Sequence, residues 1–363
     1  MSTTNDTGAD IVDGILDAAA SVYRFFEGRG LQTLAVFTIV SAIIPLTNPS
    51  GFEMTVITEL FLFGVLALSW DLIGGQTGYP SFGNMAFFGI GAYTTAILVK
   101  SFGIAFPLAF VVAAALAVAF AAFIGIIVLR LRGGYFAIAT LGVLLASQQI
   151  TRNLDVTGGA SGIILLQTPT AQEFYYLFLA ILVLEAIVVM YLAQTRFGLV
   201  LNAIRDDEGK ATAMGYNTTY YKTAAWMLAA LFTGVAGGAW SLFNTFVDPI
   251  TAYNTAWNVE IIAMALLGGS GTVVGPILGA FGLHGLIRMV IDTYFTGWQL
   301  VVLGAVVITT VIAMPKGIVG TIEEHASAME YYKHGGQAAA DSSDADVADP
   351  GDGTVDDSGG DSP

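Results

Sequence analysis

Asp71, Glu185, Glu260, His284 and Arg288 are candidate ionisable residues inside runs that are otherwise apolar. Charge at such positions is costly in hydrocarbon and marks an ion path, a proton relay or a polar contact between helices. Asp71 and Glu260 flank two glycine-rich interruptions, "GGQTGYPSFG" (Gly74–Gly83) and "GGSGTVVGP" (Gly268–Pro276), so a polar cavity is expected beside them. His284 and Arg288 are four residues apart and share a helix face, which predicts a structural polar contact ahead of a relay. Glu185, alone in "LFLAILVLEAIVVMYLA", is expected to face another helix or a partner subunit in a neutral, hydrogen-bonded state.

Other chemistry is missing. There is no G-x-x-x-x-G-K-[ST] phosphate loop: the dipeptide Gly209–Lys210 is followed by Ala211 and lacks the upstream glycine. There is no H-E-x-x-H, and the three histidines, His284, His325 and His334, are scattered. The chain is therefore read as a non-enzyme with no catalytic residues, no metal site and no cofactor of its own. Any ATP and magnesium would be bound by partner proteins. The absence of cysteine excludes disulfides and thiolate metal sites.

The elements that carry these residues must be membrane helices. The 363 residues are 55% hydrophobic and 11% charged, with a mean hydropathy of +0.72, against roughly 25% charged in soluble domains. Candidate spans are Leu31–Leu46, Met54–Ile73, Phe82–Val99, Ile104–Leu129, Tyr135–Ile150, Phe174–Ala193, Thr223–Phe246, a broken region Val259–Ile291, and Trp298–Met314. Several approach the ~20 residues a helix needs to cross a bilayer, whereas a barrel would show short alternating segments. The fold class is all-α: a polytopic helical membrane protein of about 8–10 transmembrane helices, some discontinuous or re-entrant.

Orientation follows from the positive residues of short loops. With the N-terminus inside, Arg24, Arg29, Arg130, Arg132, Arg196, Arg205, Lys210, Lys222 and Lys316 are all cytoplasmic, and Lys100, Arg152 and Arg288 are outside. Both termini are then cytoplasmic. The expected organisation is a cytoplasmic N-terminal segment (1–30), a permease domain (31–320) and an acidic tail (321–363). Sixteen of the twenty-eight acids, which give most of the net charge of −15, lie in the two ends. The last stretch, "DSSDADVADPGDGTVDDSGGDSP", has nothing to bury, and is read as a disordered, solvated tail of the kind seen in proteins that work at high salt. No signal peptide is evident, because the N-terminal stretch is acidic.

The largest charge concentration of the middle of the chain is "RFGLVLNAIRDDEGKATAMGYNTTYYK" (Arg196–Lys222). Its Leu199–Met214 portion predicts a short helix with Leu201, Ile204, Ala211 and Met214 as apolar elements, stopped at Gly215 in a left-handed conformation. The charged face, Arg205 through Glu208 with Lys210, is expected to remain available to a soluble partner.

Non-helical backbone at membrane depth is tolerated where protein or a water-filled path satisfies it, so two glycine breaks in the two halves of a chain point to a permeation path. Glycines that only permit close helix packing are the competing reading. Candidate path residues are Asp71, Gly74, Gly75, Gly78, Ser81, Asn84, Glu260, Gly268, Gly269, Ser270 and Gly271.

From about Leu66 to Gly320 the chain resembles the LivM-type branched-chain amino acid permeases of ATP-binding-cassette importers. The resemblance rests on the joint order of "LSWDLIGGQTGYPSFGNMAFFGIGAYTTAIL", "RLRGGYFAIATLG", "TGGASGI", "RFGLVLNAIRDDEGKATAMGYNTTYYKTAAW", "AGGAW", "IIAMALLGGSGTVVGPILGA" and "MPKGIVG". It implies a multi-pass protein of the cell membrane that works with a second, LivH-type permease, two cytoplasmic ATPases and an external binding protein that delivers the substrate. Ala203–Gly215 would be the loop that couples to the ATPase, with Ala203, Ile204, Arg205, Asp206, Asp207, Glu208, Ala211, Met214 and Gly215 as its coupling residues. The family's acidic-Ala-Ala core is here Gly209–Lys210–Ala211. Asn84 stands where many relatives have histidine, Asp71 where they have asparagine, and Leu144–Leu145 where Gly-Glu is frequent. Leucine, isoleucine and valine are the substrates implied; urea or short amides, carried by related permeases, stay open as an alternative. So does a stand-alone secondary carrier or channel. Nucleic acid is not an expected partner.

Overall fold

Apolar runs form the helices here, and local caps close some of their ends. The computed structural model describes residues 30–166 and 169–288, with 298, 301–302, 304–305, 308–309 and 317–321. All of these lie in one compact unit, Phe26–Thr321. The N-terminal segment 1–29, most of the expected span Trp298–Met314, and the tail from residue 322 onward lie outside the described residues.

The helices are α1 (Gly30–Ile43, continued by a 3-10 turn, Ile44–Thr47), α2 (Gly51–Thr77), α3 (Asn84–Phe102), α4 (Phe106–Val128), α5 (Gly134–Asn153) and α6 (Ala171–Ala193). They are followed by α7 (Arg196–Ala213), α8 (Thr218–Phe243), α9 (Pro249–Ala252), α10 (Thr255–Gly268) and α11 (Val274–Leu286). Two two-residue strands, β1 (Ile163–Ile164) and β2 (Phe246–Val247), pair antiparallel. Among the described residues α2, α3, α4, α6 and α8 are long and apolar enough to cross a membrane. α5 matches them in length, but its last two turns carry Ser147, Gln148, Gln149, Thr151 and Arg152. The protein is a helical, multi-pass membrane protein.

Local chemistry sets the ends. Ser50 and Thr170 form capping boxes with Glu53 and Glu173, satisfying the orphan amides that open α2 and α6. Asn254 accepts from the amides of Ala256 and Trp257 to start α10. α10 has 14 residues; at 1.5 Å per residue it is about 20 Å long, short of the ~30 Å hydrocarbon layer. After the irregular stretch 269–273 it is followed by α11, which continues helically to the limit of the described residues at 287–288.

The α3–α4–α8 seam is built from small residues. Ala109, Ala113, Ala117, Ala121 and Gly125 recur every fourth position of α4 and are all buried, while Val111, Phe123, Ile126 and Ile127 on its other faces are exposed. A Cβ on Gly91 of α3 would stand 2.0 Å from the Gly234 carbonyl of α8, and one on Gly237 only 2.1 Å from the Phe88 carbonyl. Lipid offers no hydrophobic drive for helix association, so close backbone approach and dispersion hold this seam.

The first glycine break differs from the sequence expectation. α2 runs on through Gly74 and Gly75 and stops only at Gly78, whose φ of 72° caps it. Gly74 is needed because the Trp70 ring covers it, leaving a Cβ 2.4 Å from the indole. The irregular stretch is thus 78–83, and the second is 269–273.

Candidate functional site

Arg196–Ala213 is helical as expected, but it is two helices meeting at Asp207, whose φ of −161° and ψ of 105° are extended. The Asp207 carboxylate accepts from the Lys210 amide at 3.0 Å and so caps the second piece. That bond lowers its pKa further than the slight burial raises it. The second piece ends in a Schellman turn. The Gly215 amide donates to Thr212 and the Tyr216 amide to Ala211, with Gly215 at φ 89°. Leu201, Ile204 and Ala211 are buried as their spacing predicts, joined by Val200, whereas Met214 is 66% exposed.

The charged face divides in two. Arg205, Asp206 and Lys210 are exposed. Glu208 turns inward, with its side chain 12% exposed. Its carboxylate accepts from Lys222 Nζ at 2.6 Å, from Thr218 Oγ1 at 2.9 Å and from the Tyr79 hydroxyl, and Arg132 Nε approaches to 3.6 Å. Lys222 is 2% exposed, donates also to the Leu129 carbonyl, and lies 4.1 Å above the Tyr79 ring. Burial raises the Glu208 pKa, but the bonds from Lys222, Tyr79 and Thr218 together outweigh it and hold the carboxyl below its ordinary value. Burial, with the Glu208 carboxylate beside it, pushes the Tyr79 phenol up. One side chain thus ties α7 to the first break, to the loop after α4 and to α8.

Arg205 reaches both breaks. Its Cγ would lie 3.6 Å from a Cβ at Gly78, and its Nη1 2.1 Å from one at Gly271. Behind it the Gly271 amide donates to both carboxylate oxygens of Asp71, at 2.8 and 3.0 Å. Asp71 is fully buried, and Gly75 is required beneath it, since a Cβ there would be 1.8 Å from Oδ1 and 2.6 Å from the Gly271 amide. Gly269 and Gly271 have φ of 120° and 85°. Gly268 crosses α11 so closely that a Cβ would meet the Gly275 carbonyl at 1.8 Å, and Gly317 of "MPKGIVG" packs against Gly269. Ser270 is partly exposed at this tip.

The remaining path candidates separate. Ser81 is buried, its Oγ accepting from the Gly83 amide and its carbonyl from the Trp70 indole. Asn84 opens α3, 1% exposed, with neither amide atom hydrogen-bonded. Glu260 lies away from the tip: it bonds His284 Nδ1 at 2.8 Å, and Glu59 of α2 takes Arg288 in two bonds of 2.6 Å with His284 Nε2 at 3.7 Å. His284 and Arg288 do share a face, and Glu59, which the sequence reading passed over, is what they share it for. Glu185 accepts from Ser69 at 2.5 Å between α6 and α2. Tyr79, Thr218 and Lys222 were also missed as a group. The available signal was the four-residue spacing of Thr218 and Lys222, which sets both on the α8 face toward Glu208.

Four basic side chains meet in or beside this cluster: Arg132 and Lys222 on Glu208, Arg205 at both breaks, and Lys210 on Asp207. No group of three or more metal-ligating side chains occurs among the described residues.

A family model described as the permease component of a branched-chain amino acid transport system matches residues 54–311. The chain is similar to the high-affinity branched-chain amino acid transport system permease protein LivM of Escherichia coli (strain K12), 28% identical over 293 residues, 72% of this chain and 68% of the relative. It is similar to a probable branched-chain amino acid transport permease protein LivH of Methanocaldococcus jannaschii, 27% identical over 296 residues, 71% of this chain and 89% of the relative. A more distant likeness is to the inner membrane ABC transporter permease protein YjfF of Escherichia coli (strain K12), 24% identical over 310 residues, 79% of this chain and 91% of the relative. No solved structure matches the chain significantly.

Proposed function

This chain belongs to the family of branched-chain amino acid transport permease components, and on that premise we propose that it is one membrane permease of an ATP-driven importer. It sits in the cell membrane with the segment Arg196–Gly215 in the cytoplasm. A second permease completes the translocation path, two ATPases supply ATP and magnesium, and an external binding protein delivers leucine, isoleucine or valine. The chain itself catalyses no reaction. Domain limits at 1–30, 31–320 and 321–363 belong to the same reading.

One observation carries it: the segment Arg196–Gly215 buries Val200, Leu201, Ile204 and Ala211 in the helical body while presenting Asp206, Gly209, Lys210 and Met214 outward. Such a segment gives an ATPase a rigid handle whose inner side rests on both glycine breaks. Only a partner that holds the segment differently in its two states can shift the permease between outward and inward openings. The two breaks, from Asp71 through Asn84 and from Gly268 through Gly271, are the parts of the path that this motion would rearrange.

The test is reconstitution. Liposomes holding the chain, a second permease and two ATPases should accumulate labelled leucine only with ATP and the binding protein, while urea competes weakly. Efficient urea uptake under the same conditions moves the substrate to small amides. Leucine uptake by the purified chain alone under an ion gradient rejects the importer reading in favour of a self-sufficient carrier.

A further inference from the structure

The carboxylate of Glu208 lies on the segment that the proposed function assigns to ATPase docking, yet it faces away from any soluble partner. Its acceptor capacity is taken by Lys222, Thr218 and Tyr79, with Arg132 alongside. These four groups come from three different parts of the chain: the start of α8 (Thr218 and Lys222), the first break (Tyr79) and the loop between α4 and α5 (Arg132). Three residues earlier, across the extended turn at Asp207, Arg205 lies on Gly78 and Gly271. Gly271 in turn hangs its amide on Asp71 of α2.

From this geometry we infer that Glu208 is a positioning residue for transport: it pins the docking segment to the body so that displacement of the segment is delivered through Tyr79 and Arg205 to both glycine breaks. This deepens the importer reading and rests on it. The physical argument is one of stiffness. The two pieces of α7 meet at an extended residue, so a push on the outer surface could be absorbed by bending there. Glu208 is the first residue after that bend, and its ionic anchorage removes the freedom. Lys222 is well suited as the counter-charge, since it is itself held by the Leu129 carbonyl and the Tyr79 ring and cannot follow a loosened segment. A glutamate whose only task was to meet an ATPase would need its oxygens exposed.

The first arm uses the purified full chain in nanodiscs and needs no partner. Hydrogen exchange in E208Q should rise about tenfold or more at both 78–83 and 269–273, with α4 unchanged, as expected when a local anchor is lost without global unfolding. Unchanged exchange at both breaks overturns the inference, whatever the ATPases do. The second arm uses the complex with its ATPases. E208Q should lower leucine transported per ATP hydrolysed severalfold while the amount of ATPase captured stays at the wild-type level, and the exchange E208K/K222E should restore part of the ratio. Equal loss of uptake and hydrolysis, with the ratio unchanged, shows a merely structural role and also overturns it. Failure of the wild-type chain to capture any ATPase strikes the importer reading instead, and leaves the first arm to decide this one.

Discussion

The α3–α4–α8 seam and the α2–α7–α10–α11 region are both glycine-rich, but glycine serves opposite purposes in them. In the seam Gly91, Gly234 and Gly237 bring backbones into contact, and the nearest atoms beside them are the Ala117 Cβ and the backbone of Ala113, Phe87 and Phe88. At the breaks Gly78, Gly269 and Gly271 adopt positive φ, and the contacts around them are directional bonds to Asp71, Glu208, Lys222 and Tyr79. Dispersion between close-packed helices is lost gradually and everywhere at once. A few charge-assisted bonds can be broken and remade singly, which is what a moving part requires.

The sharpest way to break this contrast is Gly237→Val. Its Cβ would meet the Phe88 carbonyl, which is backbone and cannot rotate away, so a loss of about 3 kcal/mol or more is expected. Little folded protein should be recovered by size-exclusion chromatography in detergent. A well-folded variant would mean that the seam is looser than its geometry implies.

Lys222→Ala comes next. It strips a buried carboxylate of its counter-charge, a change that costs about 3–5 kcal/mol for well-buried pairs. The thermal midpoint should fall while helix content persists. A drop no greater than that of an exposed Lys210→Ala control would argue that solvent, not Lys222, balances Glu208.

Asp71→Ala removes the acceptor for the Gly271 amide and should cost about 1–3 kcal/mol. Asp71→Asn keeps a carbonyl oxygen for that amide and should lie close to the parent. Equivalent melting of the two variants would show that the bond contributes little.

Gly215→Ala is milder. A Cβ there meets open space, so only the left-handed backbone opposes it, at about 1 kcal/mol. Gly215→Val should be worse through its branched Cβ, misplacing the segment end and reducing uptake per ATP while insertion is unaffected. Full coupling in the valine variant would detach the Gly215 turn from docking.

The smallest effect is that of pH. A carboxyl whose folded pKa is below its ordinary 4.5 contributes stability that is complete above that value and is lost as pH falls through the depressed one. Protection at 78–83, corrected for the pH dependence of intrinsic amide exchange, should therefore stay flat from pH 8 to 5, fall only below the ordinary carboxylate range, and lose this dependence in E208Q. A fall near pH 6 would point to another group.

Much of the architecture was legible because hydrophobic run length and capping chemistry are local. "SGFEMT" and "TAQEF" start α2 and α6 through bonds three residues apart, and the alanine repeat of α4 declares its buried stripe. The bend at Asp207 was not legible, since "RDDEGK" reads as continuous helix and only the Asp207 side chain capping Lys210 interrupts it. Gly74 and Gly75 read as a break, yet stay helical because Trp70 and the Asp71–Gly271 bond need their missing side chains. Met214 has the right period to be buried and is not, because the chain leaves the body before reaching it.

By itself the sequence determined that this is a helical membrane protein, where its breaks fall within a few residues, and which family it joins, because those properties depend on composition and short-range order. The tertiary structure alone decided that Glu208 points inward, that Arg205 touches both breaks and that Glu59 unites His284 with Arg288. These contacts join residues more than ten and in places more than two hundred positions apart, and no local periodicity encodes which distant side chain a folded helix will turn toward.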